Sequence, residues 1–508
     1  MTNTTIENEN LILKKIYSKI IFSQPKIIIF LLFLVSIFSF FNALKVKVDA
    51  SSDSLVLDGD KDLQLFREVG KRYKSEDFYV IAYTPKNDIF ENDSLENLKK
   101  LVTDLELVDG VSSVVSILDV PLLYSPMLSM SNLNSEFNSL RNPSINTEMA
   151  RNEYLNSPIY KKLLLSDDSK TTVLQVNLQR DEKYHELLEK RNNLRTFLLK
   201  NKPLNDEKNT LISVEKEFKS YSYELSKKHE DQVSKIREIL ATYKSLTESI
   251  YLGGLPMIAT DMVDFVKNDL KTFGVGIFLF IILLLSIIFR KLLLVSLPIL
   301  SCFITNIFVL GILGFFDWRL TVISSNFVAI LLIINLAISV HLIVRFQELQ
   351  ALHPSCGNEY LVIKMISQML RPCLYTALTT IVAFMSLVIS GIRPVIDFGL
   401  MMTLGVVIAL CTNFIIIPLG LYLAAGTDSS LRENQQDGLP FTHNFAKLTQ
   451  SYGNIILFLA IIILFFSLYG IKMLKVENRF IDYFDSSTEI YKGMELIDNK
   501  LGGTVPLE

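Results

Sequence analysis

Long apolar runs alternate with long polar stretches along the chain. A helix that crosses a bilayer needs about 20 predominantly apolar residues, and seven runs approach or exceed that length. We therefore predict a polytopic α-helical membrane protein with seven membrane helices. The predicted spans are Ile27–Leu44, Phe273–Phe289, Leu292–Phe316, Ser324–Leu349, Cys373–Ser390, Asp397–Ala424 and Asn454–Ile471.

The polar stretch after the first span alternates between strand and helix patterns. Its two strand–helix–strand units predict an α+β domain of the ferredoxin-like, split βαβ type. Insertions interrupt it at 121–165, which is rich in Ser, Asn and Pro, and at a helix over about 220–247. The predicted strands are Asp77–Thr84, Val111–Val120, Thr171–Gln179 and Ser249–Leu255, and the predicted helices are Ser94–Val108 and 183–199.

Basic residues indicate the orientation of the spans. Lysines precede the first span, and Arg290, Lys291, Arg345 and Arg371 fall on the same predicted side. By the positive-inside rule this side is cytoplasmic, so the N-terminus is cytoplasmic and the large polar domain is periplasmic. The first span lacks a small-residue cleavage site, which favours an uncleaved helix over a signal peptide. The apolar face of Glu359–Leu370 predicts an amphipathic helix on the cytoplasmic surface.

The sequence also repeats itself. The first span leads into LKVKVDASSDSLV and the seventh into MLKVENRFIDYF, so an exported domain begins twice. We expect the second copy to be cut short at Glu508. The predicted organisation is a cytoplasmic tail (1–26), a first membrane helix (27–44), a periplasmic porter-like domain (45–270), helices two to six (271–425), a cytoplasmic linker (426–450), a seventh helix (451–472) and the start of a second periplasmic domain (473–508).

Composition excludes several classes of function. Half of the 508 residues are apolar, 20% are charged and the net charge is −3, which gives no reason to expect a nucleic-acid partner. The polar domain has no cysteine, and no pair of the four cysteines has the spacing of a zinc site. It contains two histidines, His185 and His229, but no nucleophile motif or phosphate loop. We predict no catalytic residue, cofactor or metal ligand, and therefore no enzyme.

Four stretches carry a family resemblance. They are TALTTIVAFMSLVISGIRPVIDFG (376–399), ISVHLIVRFQE (338–348), LGGLPMIATDMVDFVKNDL (252–270) and FIDYFDSSTEIYKGMELIDNKLGGTVPLE (480–508). With the layout of spans, they resemble the resistance–nodulation–division (RND) superfamily, most closely its MMPL-like branch with a sterol-sensing-type helix block. The resemblance implies a proton-coupled secondary transporter of the bacterial inner membrane that exports lipid or other hydrophobic molecules. A homo-oligomer or a periplasmic partner is compatible with it.

One departure from the family pattern concerns the fourth span. Proton-driven members of the family usually carry an aspartate seven residues before the arginine that matches Arg345, and here that position is Ile338. His341 is three residues further on and close to the same helical face, with Asn335 and Ser339 nearby. A histidine that gains a proton near neutral pH could replace the acid as a relay. In the alternative, His341 only snorkels or hydrogen-bonds to a neighbouring helix.

The remaining polar residues of the spans are weaker candidates. Threonines 379 and 380 could line a substrate path, or bond to their own helix as Thr376 could. Asp397 could serve transport, or cap the sixth helix. Asparagines 306, 326 and 413 could tie helices together. The candidate proton-relay or substrate-path residues are therefore His341, Asn335, Ser339, Thr379, Thr380 and Asp397.

Two functions of different classes remain open. The repeated half favours an exporter, because a sensor needs no second copy. The missing acid at Ile338 favours a lipid-sensing or scaffold protein whose sterol-sensing-like block binds lipid without pumping.

Overall fold

The protein is described by a computed structural model. It divides into a membrane unit (Met1–Val48 and Val266–Glu477) and a soluble unit (Asp49–Phe265 and Asn478–Glu508). The residues that the structure describes are 17, 22–49, 65, 68–70, 72, 77–124, 138–200, 205–321, 323–423, 440–474 and 480–503.

Helices make up most of the described chain, with six short strands between them. The strands are β1 (Val48–Asp49), β2 (Phe78–Pro85), β3 (Val111–Val115), β4 (Thr172–Leu178), β5 (Thr247–Gly253) and β6 (Leu320–Thr321). The helices are α1 (Pro25–Ala43), α2 (Asn92–Glu106), α3 (Thr147–Asn156), α4 (Glu182–Lys200), α5 (Asn205–Tyr243), α6 (Leu255–Phe289), α7 (Leu292–Phe315), α8 (Phe327–Leu352), α9 (Asn358–Ser386), α10 (Arg393–Leu423), α11 (Pro440–Ile471) and α12 (Glu489–Lys500).

Seven of these helices, α1 and α6 to α11, are long and apolar enough to cross a membrane. An unbroken helix suits such a span because every interior backbone N–H and C=O finds its partner inside the helix. The prediction of seven membrane helices is confirmed, and the chain is a multi-pass membrane protein. The second helix begins well before the predicted Phe273, because its helical hydrogen bonding starts at Leu255 in the soluble unit.

The prediction for one cytoplasmic segment is wrong. The segment Glu359–Leu370 is not a separate helix on the surface, because α9 runs from Asn358 through Pro372 into the fifth span without a break. Its apolar face, including Val362 and Met365, is buried in the core of the membrane unit. The seventh helix begins at Pro440, inside the predicted linker, and kinks at Tyr452. The rest of that linker, residues 426–439, lies outside the described residues.

Glycines let the first and third membrane helices approach closely. Gly311 and Gly314 of α7 face Ser39 and Asn42 of α1, and a Cβ built on Gly311 would lie 2.5 Å from the Ser39 Cβ. Small residues at such crossings let helices gain van der Waals contact that lipid alone cannot supply. A side chain at either position would therefore force α1 and α7 apart.

The soluble unit contains a four-stranded antiparallel sheet in the order β3-β4-β2-β5. Strand β2 pairs with β4 on one side and with β5 on the other, and β3 pairs with β4. The buried face of α2, including Leu98 and Leu101, packs in one core with strand residues such as Tyr79 and Ile81. All four predicted strands are present, although the second ends at Val115 and not at Val120.

Both insertions of the soluble unit contain helices. The first contains α3, whose buried Tyr154 donates a hydrogen bond to the Ile117 carbonyl at 2.9 Å; residues 125–137 lie outside the described residues. The predicted helix over 220–247 is the second half of the 39-residue α5. Its first half pairs with α4 through a 2.7 Å contact between Arg195 and Glu215, so the insertion is a helical hairpin.

Residues 480–503, assigned above to the start of a second exported domain, pack in the soluble unit itself. Glu489 at the start of α12 accepts a hydrogen bond from the Leu252 backbone N–H of β5 at 3.2 Å. The guanidinium of Arg237 bridges Glu489 and Asp261, at 2.9 and 2.7 Å. These contacts hold α12 beside β5, the edge strand of the sheet. Helix α12 therefore covers part of the exposed edge of β5.

Replacing Gly311 tests the close contact between α1 and α7. We expect Gly311→Ala to destabilise the protein by about 1–3 kcal/mol, because the new Cβ overpacks against Ser39. The control is Gly274→Ala in α6, where a new Cβ meets no atom within 4 Å, and it is expected to be neutral or stabilising by up to about 1 kcal/mol. The measurement is the thermal unfolding of both purified variants in detergent. Equal shifts in the two variants would contradict the assigned contact.

A second prediction concerns acid stability of the soluble unit. A 2.6 Å hydrogen bond from Lys500, helped by one from the Ser166 hydroxyl, lowers the pKa of Asp168 to about 2. Because the folded pKa lies below the ordinary value of 3.8, this stabilisation is complete above about pH 4 and is lost as the pH falls towards 2.

We therefore expect wild type to become more sensitive to pepsin between pH 4 and pH 2 in the segment around Asp168. Asp168→Asn should show a smaller change over that window, because the variant has no proton to bind there. The matched control is Asp167→Asn, which removes the neighbouring carboxylate but leaves Asp168 in place. The assignment fails if Asp168→Asn keeps the full wild-type pH response.

Candidate functional site

A cluster of polar side chains lies at the contact of three membrane helices, and all of them are at most 3% exposed. We call this group the polar cluster. It consists of Ser301 and Thr305 of α7, Asn335 and Ser339 of α8, and Thr412 and Asn413 of α10.

Helical spacing brings these side chains together. Ser301 and Thr305 are four residues apart, as are Asn335 and Ser339, so each pair lies one above the other on one helix face. The apolar residues around them pack tightly; a Cβ added at Gly405 of α10 would lie 3.0 Å from Leu331 of α8. The cluster is therefore held where no water of the bulk phase reaches it.

The two asparagine amides form the centre of the cluster. The Asn413 Nδ2 donates to the Asn335 Oδ1 at 2.5 Å and to the Ala409 carbonyl of its own helix at 2.8 Å. At its other end the Asn413 Oδ1 accepts hydrogen bonds from the hydroxyls of Ser301, at 3.1 Å, and Ser339. One amide thus joins α10 to both of the other helices.

The threonine hydroxyls complete the network. Thr305 donates to the Ser301 carbonyl at 2.7 Å, lies 2.6 Å from the hydroxyl of Thr412 and 3.3 Å from the Asn335 Oδ1. Every member of the cluster is an amide or a hydroxyl, and none can change its charge in the physiological pH range. The network can exchange hydrogen bonds or bind a polar guest, but it has no group of its own that could store a proton.

His341 does not belong to the polar cluster. Its imidazole is exposed on the outer surface of α8, in a row with Ile333, Ala337 and Val344. No hydrogen bond or ion pair to it is found among the described residues. Ile338, by contrast, is buried, so the expected common face of Ile338 and His341 is wrong. A relay through His341 therefore has no geometric support in the described part of the chain.

The other candidates lie outside the cluster as well. Thr379 and Thr380 of α9 both bond to the Thr376 carbonyl of their own helix, at 2.9 and 2.8 Å, which agrees with the alternative reading given above. Asp397 is four residues into α10, which begins at Arg393, so the prediction that it caps this helix is wrong.

Sequence reasoning found half of the cluster. It singled out Asn335 and Ser339 and treated Asn413 as a packing residue, but it did not single out Thr412 or the hydroxyls of α7. The available signal was the four-residue spacing of Ser301 and Thr305 inside an otherwise apolar helix. That spacing marks a polar face, but it does not say which helix the face meets.

The soluble unit has a second polar group, at the base of the helical hairpin. His185 and His229 line a shallow pocket together with Asp77, Asp181 and Tyr184. Burial lowers the pKa of both histidines, which keeps them neutral near pH 7. Among the described residues no three His, Cys, Asp or Glu side chains are arranged to hold a metal ion. The pocket therefore provides no metal centre.

Comparison with known proteins identifies one family. Residues 221–439 match the MMPL family, a family of membrane transporters, and this match covers helices α6 to α10. The predicted resemblance to the MMPL branch is confirmed over that stretch. No curated protein matches the chain.

Replacing Asn413 tests the stability of the polar cluster. Asn413→Leu keeps the branching and the number of heavy atoms of the side chain but removes the bonds to Asn335, Ser301 and Ser339, leaving buried partners unsatisfied. We expect a loss of about 1–2 kcal/mol in unfolding free energy, the range for hydrogen bonds between membrane helices.

The control for this variant is Thr376→Val, which removes an exposed hydroxyl that bonds only to the Pro372 carbonyl of its own helix. It should leave stability within about 0.5 kcal/mol of wild type. The measurement is thermal unfolding in lipid nanodiscs. If both variants unfold at the same temperature as wild type, the cluster does not stabilise the helix contact.

Proposed function

We propose that this chain, whose residues 221–439 match the MMPL family, is an RND-type secondary transporter. Its cargo is lipid or another hydrophobic molecule, which it exports across or out of a bacterial inner membrane. The observation that carries the proposal is the polar cluster, buried between α7, α8 and α10 of a multi-pass membrane unit.

Polar side chains buried in a membrane unit support the transport proposal. Burying them in hydrocarbon costs free energy, and apolar side chains would hold the helices together without that cost. Hydrogen bonds between membrane helices contribute on average only about 0.6 kcal/mol each, so an anchor gains little from six polar side chains. Polar residues that face the interior of a helix bundle are typical of substrate and ion paths. A transporter uses them because helices that move against each other must exchange partners.

The energy source is a separate part of the proposal. The family resemblance implies proton coupling, but the polar cluster contains no ionisable side chain. His341, which was to replace the missing acid, faces outward from α8. We therefore assign the coupling to the polar cluster and not to His341, and because the cluster cannot take up a proton, it would couple by binding another ion.

The soluble unit is proposed as the periplasmic, ferredoxin-like porter domain that receives or passes on the cargo. Two features support this. The strand order β3-β4-β2-β5, with every pair antiparallel, places the third strand of the sheet between the first two. That is the arrangement of a split βαβ unit, in which a helix such as α2 connects two parallel strands across an inserted one. The basic flanks of the spans support the periplasmic location.

The test is efflux of a hydrophobic dye, Nile red, from cells that express the full chain. We expect Asn335→Leu to reduce efflux at least about tenfold, because the amide that joins α8 to α10 is lost. Ser339→Ala removes only one hydroxyl and should therefore disturb folding less than Asn335→Leu. Ser286→Ala, which removes an exposed hydroxyl of α6 bonded to its own helix, is the matched control and should keep wild-type efflux.

Efflux by the His341→Ala variant distinguishes coupling through His341 from coupling through the polar cluster. We expect efflux to persist in this variant when its expression matches wild type, because the imidazole contacts no polar partner in the described chain. Loss of efflux in His341→Ala together with normal efflux in Ser339→Ala would overturn the role of the polar cluster.

Because the family acid is replaced by Ile338, a second function is the alternative: a lipid-binding sensor or scaffold that does not pump. It predicts that wild type and Asn335→Leu give the same Nile red efflux as cells without the protein. In that outcome, binding of a fluorescent phospholipid by the purified chain would favour the sensor.

A further inference from the structure

We propose that the polar cluster is a binding site for a small monovalent cation, Na⁺, and that this ion takes the place of the proton as the coupling ion. The coupling role rests on the transport function proposed above. The binding of the ion does not rest on that function, because it is inferred from the side-chain oxygen atoms that three helices bring together.

The cluster supplies the ligand type that hard cations prefer. Six side-chain oxygens from Ser301, Thr305, Asn335, Ser339, Thr412 and Asn413 lie together in a region almost sealed from solvent. Hydroxyl and amide oxygens each carry two lone pairs, so they can bind a cation while they keep a hydrogen bond to their own helix. Oxygen atoms, including backbone carbonyls, are the usual ligands of Na⁺ in transporters.

Three oxygens already converge on one point of the cluster. The Asn413 Nδ2 has the Asn335 Oδ1 at 2.5 Å, the Ala409 carbonyl at 2.8 Å and the Asn335 carbonyl at 3.3 Å. An amide nitrogen carries two hydrogens, so three acceptors surround two donor hydrogens. This excess of acceptors creates a negative potential at the nitrogen position.

Rotation of the Asn413 amide by half a turn would complete a cation site. Its oxygen would then take the position of the nitrogen and face the Asn335 Oδ1 and the two carbonyls, so that an ion between these four oxygens would hold them together once they move apart. Its nitrogen would face the hydroxyls of Ser301 and Ser339, which can accept hydrogen bonds as readily as they donate them. The same six side chains therefore support a form without the ion and a form with it.

Charge and size favour Na⁺ over other common cations. The cost of burying an ion rises with the square of its charge, and the cluster has no carboxylate to offset a divalent charge. Na⁺ has nearly the radius of Ca²⁺, whose oxygen ligands lie at about 2.3–2.6 Å, so neighbouring ligands of an octahedral set are about 3.3–3.7 Å apart.

The oxygens of the proposed site lie at or below that separation. From the Asn413 Nδ2 the distance is 3.3 Å to the Asn335 carbonyl, 2.8 Å to the Ala409 carbonyl and 2.5 Å to the Asn335 Oδ1. An outward movement of about 0.5–1 Å would therefore admit Na⁺. The larger K⁺ would require the three helices to separate further.

The first experiment measures binding alone. Thermal unfolding of the purified full chain in nanodiscs is followed in NaCl, KCl and choline chloride at equal ionic strength. We expect the unfolding temperature to rise with NaCl concentration but not with KCl or choline chloride, because a ligand that binds only the folded state stabilises it by mass action.

Matched variants locate the ion. Ser339→Ala removes a hydroxyl that the turned Asn413 amide needs as a hydrogen-bond acceptor, and Thr305→Val removes the hydroxyl 3.3 Å from the ligand atom Asn335 Oδ1. Each changes the shape little, and each should raise the apparent Na⁺ dissociation constant about tenfold or more. Thr376→Val and Ser286→Ala remove exposed hydroxyls elsewhere and should keep the wild-type response. An equal response of wild type to NaCl and KCl, or a full Na⁺ response in both cluster variants, would overturn the site.

The second experiment measures coupling in proteoliposomes that contain Nile red. We expect an imposed Na⁺ gradient to drive dye transport in wild type, and a pH gradient alone to drive none. Na⁺-specific stabilisation without any dye transport would leave the site in place and refute the proposed exporter. Dye transport that needs no Na⁺, together with no Na⁺-specific stabilisation, would refute the sodium site and leave the exporter.

Discussion

The hydrogen bond between the amides of Asn335 and Asn413 constrains how the helices of the membrane unit can pack. Neither amide can turn to water, because both side chains are fully buried between α8 and α10. An amide that loses its partner in an apolar medium is destabilised, so the bond fixes the rotation and height of the two helices together. Through Ser301 and Thr305 the same constraint extends to α7.

The number of the membrane helices could be predicted because a bilayer sets the minimum length of an apolar span. A run of about 20 apolar residues has few other uses, and seven such runs gave the seven helices. The face of each helix could not be read in the same way. Helix α8 is apolar on almost all sides, so no amphipathic pattern distinguishes its buried face from its lipid face.

The placement of His341 illustrates this limit. Successive residues of an α-helix are about 100° apart, so His341 lies about 240° around the helix from Asn335. Ile338 is at the edge of the buried face, and a residue one turn beyond that edge is already outside it. Taking Ile338 as the reference therefore placed His341 on the buried face of α8, which is wrong. Taking Asn335 and Ser339 as the reference would have placed it on the exposed face.

The soluble unit was predictable where its contacts are local and not where they are distant. The alternation of strands and helices gave the four strands of the sheet, because each strand carries its own period of two. The docking of α12 beside β5 could not be read from either segment, since Glu489 and Leu252 are 237 residues apart. Likewise, Val214 and Phe218 form a short apolar stripe on the first half of α5, but the stripe does not say that it packs against α4.

The absence of an ionisable group in the polar cluster has a consequence for how the helices can move. A carboxylate can gain or lose a proton, so its charge changes and its neighbours can respond while the site keeps the same heavy atoms. Amides and hydroxyls do not change their charge in this way. Separating α8 from α10 would leave the Asn335 and Asn413 amides without partners in an apolar medium. Such a movement becomes accessible only when a polar guest takes over the broken hydrogen bonds. The occupancy of the cluster and the spacing of its three helices are therefore linked, and a transporter needs a link of that kind between an ion and a conformational change.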